Sequence, residues 1–297
     1  MIEQISPSRD SSPRRWLDPF RVLTTEERRR HLDAYASFQE ERNGDIDLPR
    51  RALSLRDAYL RDLDRNPIRW RGELDREGFL AWQQRAGRPE LDPRAVFLVV
   101  IGKINESERY GVELELARFN ETDEHTSDRQ QLYLFLEEGY HSRILMEVCR
   151  TCGLDLETRV PPWGTRWLIH LVRYLPDRIR WIPILCGEVV GCTVFKILMD
   201  HVGVFSEQPE VEERIRSLVG EIWLDEVMHV AFVRARLGRL GMLACKLLLP
   251  IVARSLTSDV PTLTALGCSK AELMERVRRG VEMPSGAAWI DPEPAPA

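Results

Sequence analysis

The sequence predicts an all-α protein organised around four long helices. Few segments alternate apolar and polar residues as a half-buried strand would, whereas many repeat apolar residues at helical spacing. Clusters of Pro, Gly, Asn and Asp separate these helical stretches. With 297 residues, of which 43% are apolar, the chain can bury a sizeable core. We therefore expect one structural domain with additional helices at both ends.

Residues 1–95 are expected to form a helical extension that packs on the rest of the protein. Thr24 and Glu27 have the spacing of a capping box, which marks the start of a helix. The helices predicted in this extension cover about residues 24–42, 54–63 and 73–86. No motif of recognisable chemistry occurs here, so we expect the extension to act as a cap.

The four long helices are predicted within residues 96–240, with the first beginning slightly earlier, after Pro93. They cover about residues 94–119, 127–152, 184–201 and 211–237, and an amphipathic piece precedes Pro176. Long helices joined by connections of mixed length are typical of a four-helix bundle. Residues 241–297 should add C-terminal helices, with the apolar stretch 241–253 as a buried helix pair, and a disordered Pro-rich tail from Asp291.

Two of the long helices carry the motif Glu-x-x-His. The first copy is Glu138 with His141 and the second is Glu226 with His229. Residues three apart lie on one face of a helix, so each copy can direct a carboxylate and an imidazole at the same metal ion. Two such motifs, with one further Glu from each of two other helices, are typical of a carboxylate-bridged centre of two metal ions.

The other two long helices should each supply one Glu. Glu188 is the only acidic residue between Ile184 and Lys196, and burying it among apolar neighbours would be costly unless it binds a metal. In the first long helix, Glu108 follows the apolar stripe, whereas Glu106 lies on a more polar face. We prefer Glu108 and leave Glu106 open; Glu113 and Glu115 are expected to be surface charges.

The predicted ligands are Glu108, Glu138, His141, Glu188, Glu226 and His229. Their four carboxylates would neutralise two divalent ions, and one nitrogen per metal suits iron, or manganese, better than structural zinc. Asp225, which precedes Glu226, could accept a hydrogen bond from a ligand imidazole.

Several partners and locations are not expected from the sequence. The net charge of -5 gives no reason to expect nucleic acid. The N-terminus lacks the apolar segment of a signal peptide, and the stretch 241–253 is too short to span a bilayer. We expect a cytoplasmic protein without a membrane partner. The six cysteines, including Cys149 and Cys152, are expected to be reduced core residues.

The two motifs, the lone Glu188 and the sequence Asp225-Glu226-x-x-His229 resemble the ferritin-like di-iron carboxylate superfamily over about residues 96–238. Within it, the chain is most similar to the p-aminobenzoate N-oxygenase family, which has this length and a helical N-terminal extension. The stretch from Lys103 to Glu108 resembles that family's first ligand helix. This resemblance implies a ferritin-like four-helix bundle and places Lys103 near an acidic group of the substrate.

Two positions depart from known branches of the superfamily. The radical-forming subunit of ribonucleotide reductase carries a tyrosine four residues after the first histidine, where this chain has Leu145. Characterised N-oxygenases carry an extra histidine ligand four residues before the last Glu, where this chain has Ile222. The first departure argues against a tyrosyl radical, and the second weakens the case for N-oxygenation.

We therefore expect an O2-activating non-haem di-iron oxygenase that acts on a small amine or aromatic substrate through a peroxo-type intermediate. The alternatives are a C-H hydroxylase, desaturase or other oxidase using the same two ions, and a metal-binding protein without catalysis. No flavin or nicotinamide fingerprint occurs, so electrons should come from an external ferredoxin or reductase. The resemblance also implies a homodimer.

Overall fold

The computed structural model describes residues 15–84, 91–121, 129–156, 159–285, 287 and 289–293. Within these ranges the chain is mostly α-helical, which confirms the predicted all-α class. The helices are α1 (Thr25–Asn43), α2 (Ser54–Arg65), α3 (Arg76–Gln83), α4 (Pro93–Glu121), α5 (Arg129–Thr151), α6 (Trp163–Tyr174), α7 (Asp177–His201), α8 (Pro209–Ala235), α9 (Arg239–Asp259) and α10 (Lys270–Arg279).

In the described part of the chain, four short strands form two small antiparallel sheets. The strands are β1 (Arg15–Leu17), β2 (Ile46–Asp47), β3 (Ala52–Leu53) and β4 (Val281–Met283). Strand β1 pairs with β4, which joins the two ends of the described chain, and β2 pairs with β3 between α1 and α2.

The first helix begins as its sequence predicts. The Thr24 hydroxyl accepts a hydrogen bond from the Glu27 backbone N–H at 3.2 Å, and the Glu27 carboxylate accepts from the Thr24 N–H at 2.7 Å. This reciprocal cap satisfies backbone donors that a helix start leaves unpaired.

The core is built from the four longest helices. Helix α4 packs on α5, α5 on α8, and α7 on α8, while α1 lies against α8 and α9 against α7. The inward faces combine many apolar residues, such as the fully buried Val189, Phe195 and Phe232, with a group of buried polar and charged side chains. Helix α7 begins before its predicted start at residue 184 and continues through Pro183. Burial of Trp181 and Leu185 on either side offsets the cost of about 3 kcal/mol for an internal proline.

The C-terminal residues are more ordered than the sequence predicts. Disorder was expected from Asp291, yet Glu293 accepts hydrogen bonds from the buried Arg234 and from Arg21, and forms a β-bridge with Trp16. The paired charges hold this segment on α8, so the expected disorder is wrong as far as residue 293. Residues 294–297 and the N-terminal residues 1–14 lie outside the described ranges.

The expectation of a buried helix pair at residues 241–253 is also wrong. This stretch belongs to the single helix α9, whose inner face contacts α7 while an outer face is exposed: Leu240, Leu243, Leu247 and Ile251. Helix α6 has no buried residue and exposes a second apolar face: Trp163, Trp167, Leu171 and Tyr174. Spacing along a helix predicts an apolar face but not whether anything covers it.

Among the described residues, two helical segments are long and apolar enough to cross a bilayer, Arg178–Phe205 and Arg239–Ser258. About 56% of the most apolar window in the first is buried inside the fold, but only 22% in the second. Core helices of water-soluble proteins pass the same test of length and composition, so this finding alone assigns neither segment to a membrane.

Candidate metal centre

The predicted ligands lie close together between four helices. Helix α4 contributes Glu108, α5 contributes Glu138 and His141, α7 contributes Glu188, and α8 contributes Glu226 and His229. The members of each Glu-x-x-His motif are one turn apart on the inward face of a continuous helix, which aligns carboxylate and imidazole. All six residues of the predicted set are therefore brought to one place.

The ligand atoms form two groups that share one residue. Glu138, Glu188, Glu226 and His229 form one group, and Glu108, Glu138 and His141 form the other, with all ligand atoms of a group within 4.8 Å of one another. Two ligand atoms on opposite sides of one ion are about 4.2 Å apart, so each group has the dimensions of a metal site. Because Glu138 belongs to both groups, its two oxygens can bridge two ions.

Both imidazole rings direct their Nδ1 atom toward this cluster of ligand atoms. Nδ1 of His229 lies 2.8 Å from Glu138 Oε1, and Nδ1 of His141 lies 3.3 Å from Glu138 Oε2 and 3.4 Å from Glu226 Oε1. The opposite nitrogen of each ring contacts a different buried carboxylate. Nδ1 is therefore the nitrogen available for a metal in both histidines.

Asp225 accepts the hydrogen bond that was predicted for it, from Nε2 of His141 at 3.0 Å. Its counterpart, Glu137, contacts Nε2 of His229 at 2.9 Å. Each acid directly precedes the Glu of one motif and orients the histidine of the other. Glu137 was not predicted from the sequence, although an acid directly precedes each Glu-x-x-His motif. Such carboxylates fix the tautomer of a metal-binding imidazole.

The N-terminal extension packs on α8, as expected, and also supplies groups that hold these two acids, which the sequence did not predict. Arg56 of α2 donates to both oxygens of Asp225, at 2.5 and 3.1 Å, and also to Asn43 at 2.5 Å. Asn43 and Tyr35 of α1 donate to Glu137 at 2.6 and 2.8 Å. A buried network thus joins the extension to both histidines.

The charges in this network shift the pKa values of its members. Burial opposes ionisation of Asp225, but Arg56 and Arg42 outweigh it and hold the pKa of Asp225 well below its ordinary value. Burial and the neighbouring Glu137 raise the pKa of Tyr35. Its hydroxyl therefore stays protonated and donates a hydrogen bond to Glu137. Asp225 is therefore ionised where it meets His141.

The ligand carboxylates repel one another. Burial and Glu138 raise the pKa of Glu108 to about 8 and raise the pKa values of Glu188 and Glu226 as well. Burial would raise the pKa of Glu138 too, but His141 and His229 outweigh it and lower that pKa to about 2. Two divalent cations would relieve this repulsion, since four carboxylates match their charge.

The chemistry of the unpartnered atoms fits metal ions. Among the described residues, buried side-chain atoms without a hydrogen-bond partner include Glu108 Oε2, Glu138 Oε1, His141 Nδ1 and His229 Nδ1. Unpaired buried polar atoms are costly in a native fold. Four of the fifteen such atoms among the described residues belong to the predicted ligands. They supply the oxygen and nitrogen donors that iron or manganese would take.

A cavity of about 320 Å³ lies against the ligands. Glu108, Glu138, Glu188 and Glu226 line it, and most of its remaining wall is apolar, contributed by α4, α5, α6, α7 and α9. Gly191 also lines the cavity, and a Cβ at this position would make an ordinary van der Waals contact with Glu226 Oε2 at 3.4 Å. The volume is at the lower end of the range for small-molecule sites.

The other acidic and basic residues of α4 have different surroundings. Lys103 donates to Glu106 at 3.1 Å, and neither residue is among those lining the cavity. Glu113 is exposed and pairs with Arg109 at 2.9 Å, as a surface charge would. Glu115 was expected at the surface, but it is buried, lines the cavity and accepts a hydrogen bond from Arg180 at 2.6 Å. Its cation comes from α7, which spacing within α4 could not reveal.

No protein-family model matches the chain, and neither a curated protein nor a solved structure matches it. We therefore infer the kind of metal site from the candidate ligand residues and their geometry alone.

Proposed function

We propose that the chain is an O2-activating non-haem di-iron oxygenase built on a ferritin-like four-helix bundle of α4, α5, α7 and α8. The observation that carries this proposal is the pair of ligand groups sharing Glu138, each with a histidine whose outer nitrogen is held by a buried acid. Storage or purely structural sites need no cavity beside the ligands, whereas an oxygenase must hold its substrate there.

Two ferrous ions at this centre would supply the electrons that reduce O2 and would bind it beside the substrate. The chain itself provides orientation and exclusion of water. Asp225 and Glu137 hold the imidazoles in place, the apolar wall would exclude water, and Glu138 would be a ligand of both ions. An external ferredoxin or reductase would return the centre to the ferrous state after each turnover.

N-oxygenation of a small amine or aromatic substrate is one reaction open to this centre. Oxidation of a C-H bond, by hydroxylation or desaturation, is the second candidate, and two features favour it. Ile222 is a fully buried apolar residue at the position of the extra histidine, and the cavity wall is mainly apolar. Both candidates use the same ligands and differ only in the product.

The test is O2 consumption by protein loaded anaerobically with ferrous iron, with amine, aromatic and alkyl compounds as candidate substrates. We expect consumption that depends on substrate, with N-oxidised or C-oxidised products identified by mass spectrometry. Glu226→Ala should abolish it, whereas Glu113→Ala, an exposed acid on α4, should not change it. Iron binding without substrate-dependent O2 consumption would instead favour a ferritin-like metal-binding protein.

A further inference from the structure

Helix α9 is amphipathic, and one of its faces is fixed on the fold. The buried residues of the helix recur three or four positions apart: Met242, Cys245, Leu249 and Ala253. The Cys245 thiol donates to the backbone oxygen of Ile182 in α7 at 3.5 Å, and the Cys186 thiol of α7 donates to the backbone oxygen of Cys245 at 3.5 Å. These contacts determine which face of α9 points inward and which points to solvent.

The outer face of α9 is an apolar stripe in contact with solvent. Its side chains are each more than half exposed: Leu240, Leu243, Leu247 and Ile251. They also recur three or four positions apart, so they form one continuous surface along the helix. Single exposed apolar residues are ordinary on a protein, whereas a contiguous apolar surface is typical of a binding surface.

The charged residues beside this stripe are cations. Three exposed side chains border it: Arg239, Lys246 and Arg254. In the described part of the chain, none of these three forms an ion pair with an acid. No Asp or Glu occurs between Arg239 and Ser258. The outer face of α9 is therefore locally positive, although the whole chain has a formal net charge of -5.

Helix α6, which lines the same cavity as α9, has a second exposed apolar face. That face includes Trp163, Trp167 and Tyr174. Trp and Tyr are enriched where lipid headgroups meet hydrocarbon, because their rings combine an apolar body with a polar edge. Val252 and Leu256 are the residues of α9 that line the cavity. The two helices with these exposed apolar faces are thus both part of the cavity wall.

An anionic lipid surface fits the outer face of α9 better than the other occupants. The apolar side chains would enter the boundary between headgroups and hydrocarbon, and the cations would meet lipid phosphate groups. In the absence of lipid, a second copy of the chain could bury the same apolar side chains, but it would bring its own three cations against these. A spanning orientation would require the inner face of α9 to leave α7, on which it is packed.

We propose that the outer face of α9 binds the surface of a bilayer that contains anionic lipids, with the helix lying in the plane of the interface. The expectation of no membrane partner rested on segment length, which tests for spanning and not for lying on a surface. Because α9 also lines the cavity, and a helix with its side chains is about 10–12 Å wide, the cavity would lie within about that distance of the lipid. This partner goes beyond the proposed oxygenase function.

The test is co-flotation of the full-length chain with two kinds of vesicle. One kind is pure phosphatidylcholine, and the other contains equal parts of phosphatidylcholine and phosphatidylglycerol. We expect binding to the anionic vesicles to be at least about tenfold stronger, because each cation near an anionic surface adds about fivefold. Raising the salt concentration should weaken this binding, because salt screens the attraction between the cations and the lipid.

The double variant Leu243→Gln with Leu247→Gln tests the apolar stripe. It should lower binding to the anionic vesicles at least about tenfold, because two apolar side chains no longer leave water. Leu48→Gln with Leu55→Gln makes the same changes at two other exposed leucines and should leave binding unchanged. Since all four leucines are exposed, these substitutions should preserve the fold, which circular dichroism checks.

The double variant Arg239→Gln with Lys246→Gln tests the cations. It should lower binding to the anionic vesicles about 25-fold and leave the weak binding to phosphatidylcholine unchanged. Arg29→Gln with Arg30→Gln removes the same net charge from exposed positions of α1 and should alter neither binding. A difference between these two variants separates the local charge of α9 from the net charge of the chain.

Four results would overturn the proposal: no binding to anionic vesicles at low salt, equal binding to both kinds of vesicle, unchanged binding in either α9 variant, or an equal loss in its control. Light scattering on the same samples tests the second copy as occupant. A chain that stays dimeric at every lipid concentration and does not float would assign the α9 face to that copy, and would also overturn the proposal. These readouts need neither metal nor turnover, so their failure would leave the proposed oxygenase function untouched.

Discussion

Arg56 is the cation that connects the N-terminal extension to the candidate metal centre, and its replacement by Met should weaken both folding and the proposed metal binding. Its side chain is 3% exposed and contacts Asp225, which is fully buried, through two nitrogens. It also lies 3.7 Å from Glu137. Arg56→Met keeps the volume of the side chain but leaves both acids without this partner.

The magnitude follows from the burial of the pair. Removing one partner of a buried ion pair costs about 3–5 kcal/mol, because the other charge stays desolvated. Arg42 remains 3.2 Å from Asp225, so we expect a loss near 3 kcal/mol. At about 2.1 cal/mol/K of unfolding entropy per residue, that loss lowers the Tm of a chain of 297 residues by about 5 °C.

Thermal unfolding followed by circular dichroism measures this change, and competition with a chelator measures metal affinity. Because Asp225 would orient His141 less firmly, we expect metal affinity to fall about 10- to 100-fold. Arg143→Met is the matched control, since Arg143 is half-exposed and pairs with Asp57 at the surface; its Tm should change by less than about 1 °C.

The double variant Arg56→Met with Asp225→Asn adds a stricter criterion. Removing the negative charge as well should recover part of the lost stability, although the orientation of His141 stays impaired. A Tm and a metal affinity for Arg56→Met that both equal those of Arg143→Met would refute the reasoning.

Three further expectations concern the acids, the surface and pH. Asp225→Asn and Glu137→Gln should each lower the affinity for mainly one of the two ions about 10- to 100-fold, as measured by competition with a chelator. Equal loss of both ions in each variant would contradict the assignment of one acid to one histidine. The exposed apolar face of α9 suits the homodimer implied by the sequence resemblance, so light scattering should show a dimer that the substitution Leu247→Arg dissociates. If the unmodified chain and the variant are both monomers, this dimer interface is excluded. Burial and Arg234 lower the pKa of His31 to about 4, so its neutral form stabilises the fold above about pH 6.5 and this contribution is lost as pH falls toward 4. Urea unfolding of His31→Asn should show a shallower loss over that range, and an unchanged slope would be inconsistent with this assignment.

The sequence predicted much of the local structure because its signals are local. The capping box of Thr24 and Glu27 and the helical spacing of both Glu-x-x-His motifs depend on residues three positions apart. Predictions failed for residues whose surroundings depend on a partner that is far away in the sequence. Glu115 looked like a surface charge until α7 brought Arg180 against it, and Glu293 was expected to be disordered until Arg234 paired with it.

The groups behind the histidines show the same limit. Asp225 was predicted from its place beside Glu226, and the same rule applied to Glu138 would have identified Glu137. Arg56, Asn43 and Tyr35 could not be found this way, because they reach the site from helices far away in the sequence. Spacing along the chain identifies what one helix presents; it does not identify which other helix supplies the counter-charge.

A centre of two metal ions bridged by Glu138 is tested most directly by iron content combined with Mössbauer spectroscopy. We expect two irons per chain that are magnetically coupled, with both lost or uncoupled in Glu138→Ala. Glu108→Ala and Glu188→Ala should each weaken mainly one ion. One iron per chain, two uncoupled irons, or a Glu138→Ala variant that retains a coupled pair would contradict the account.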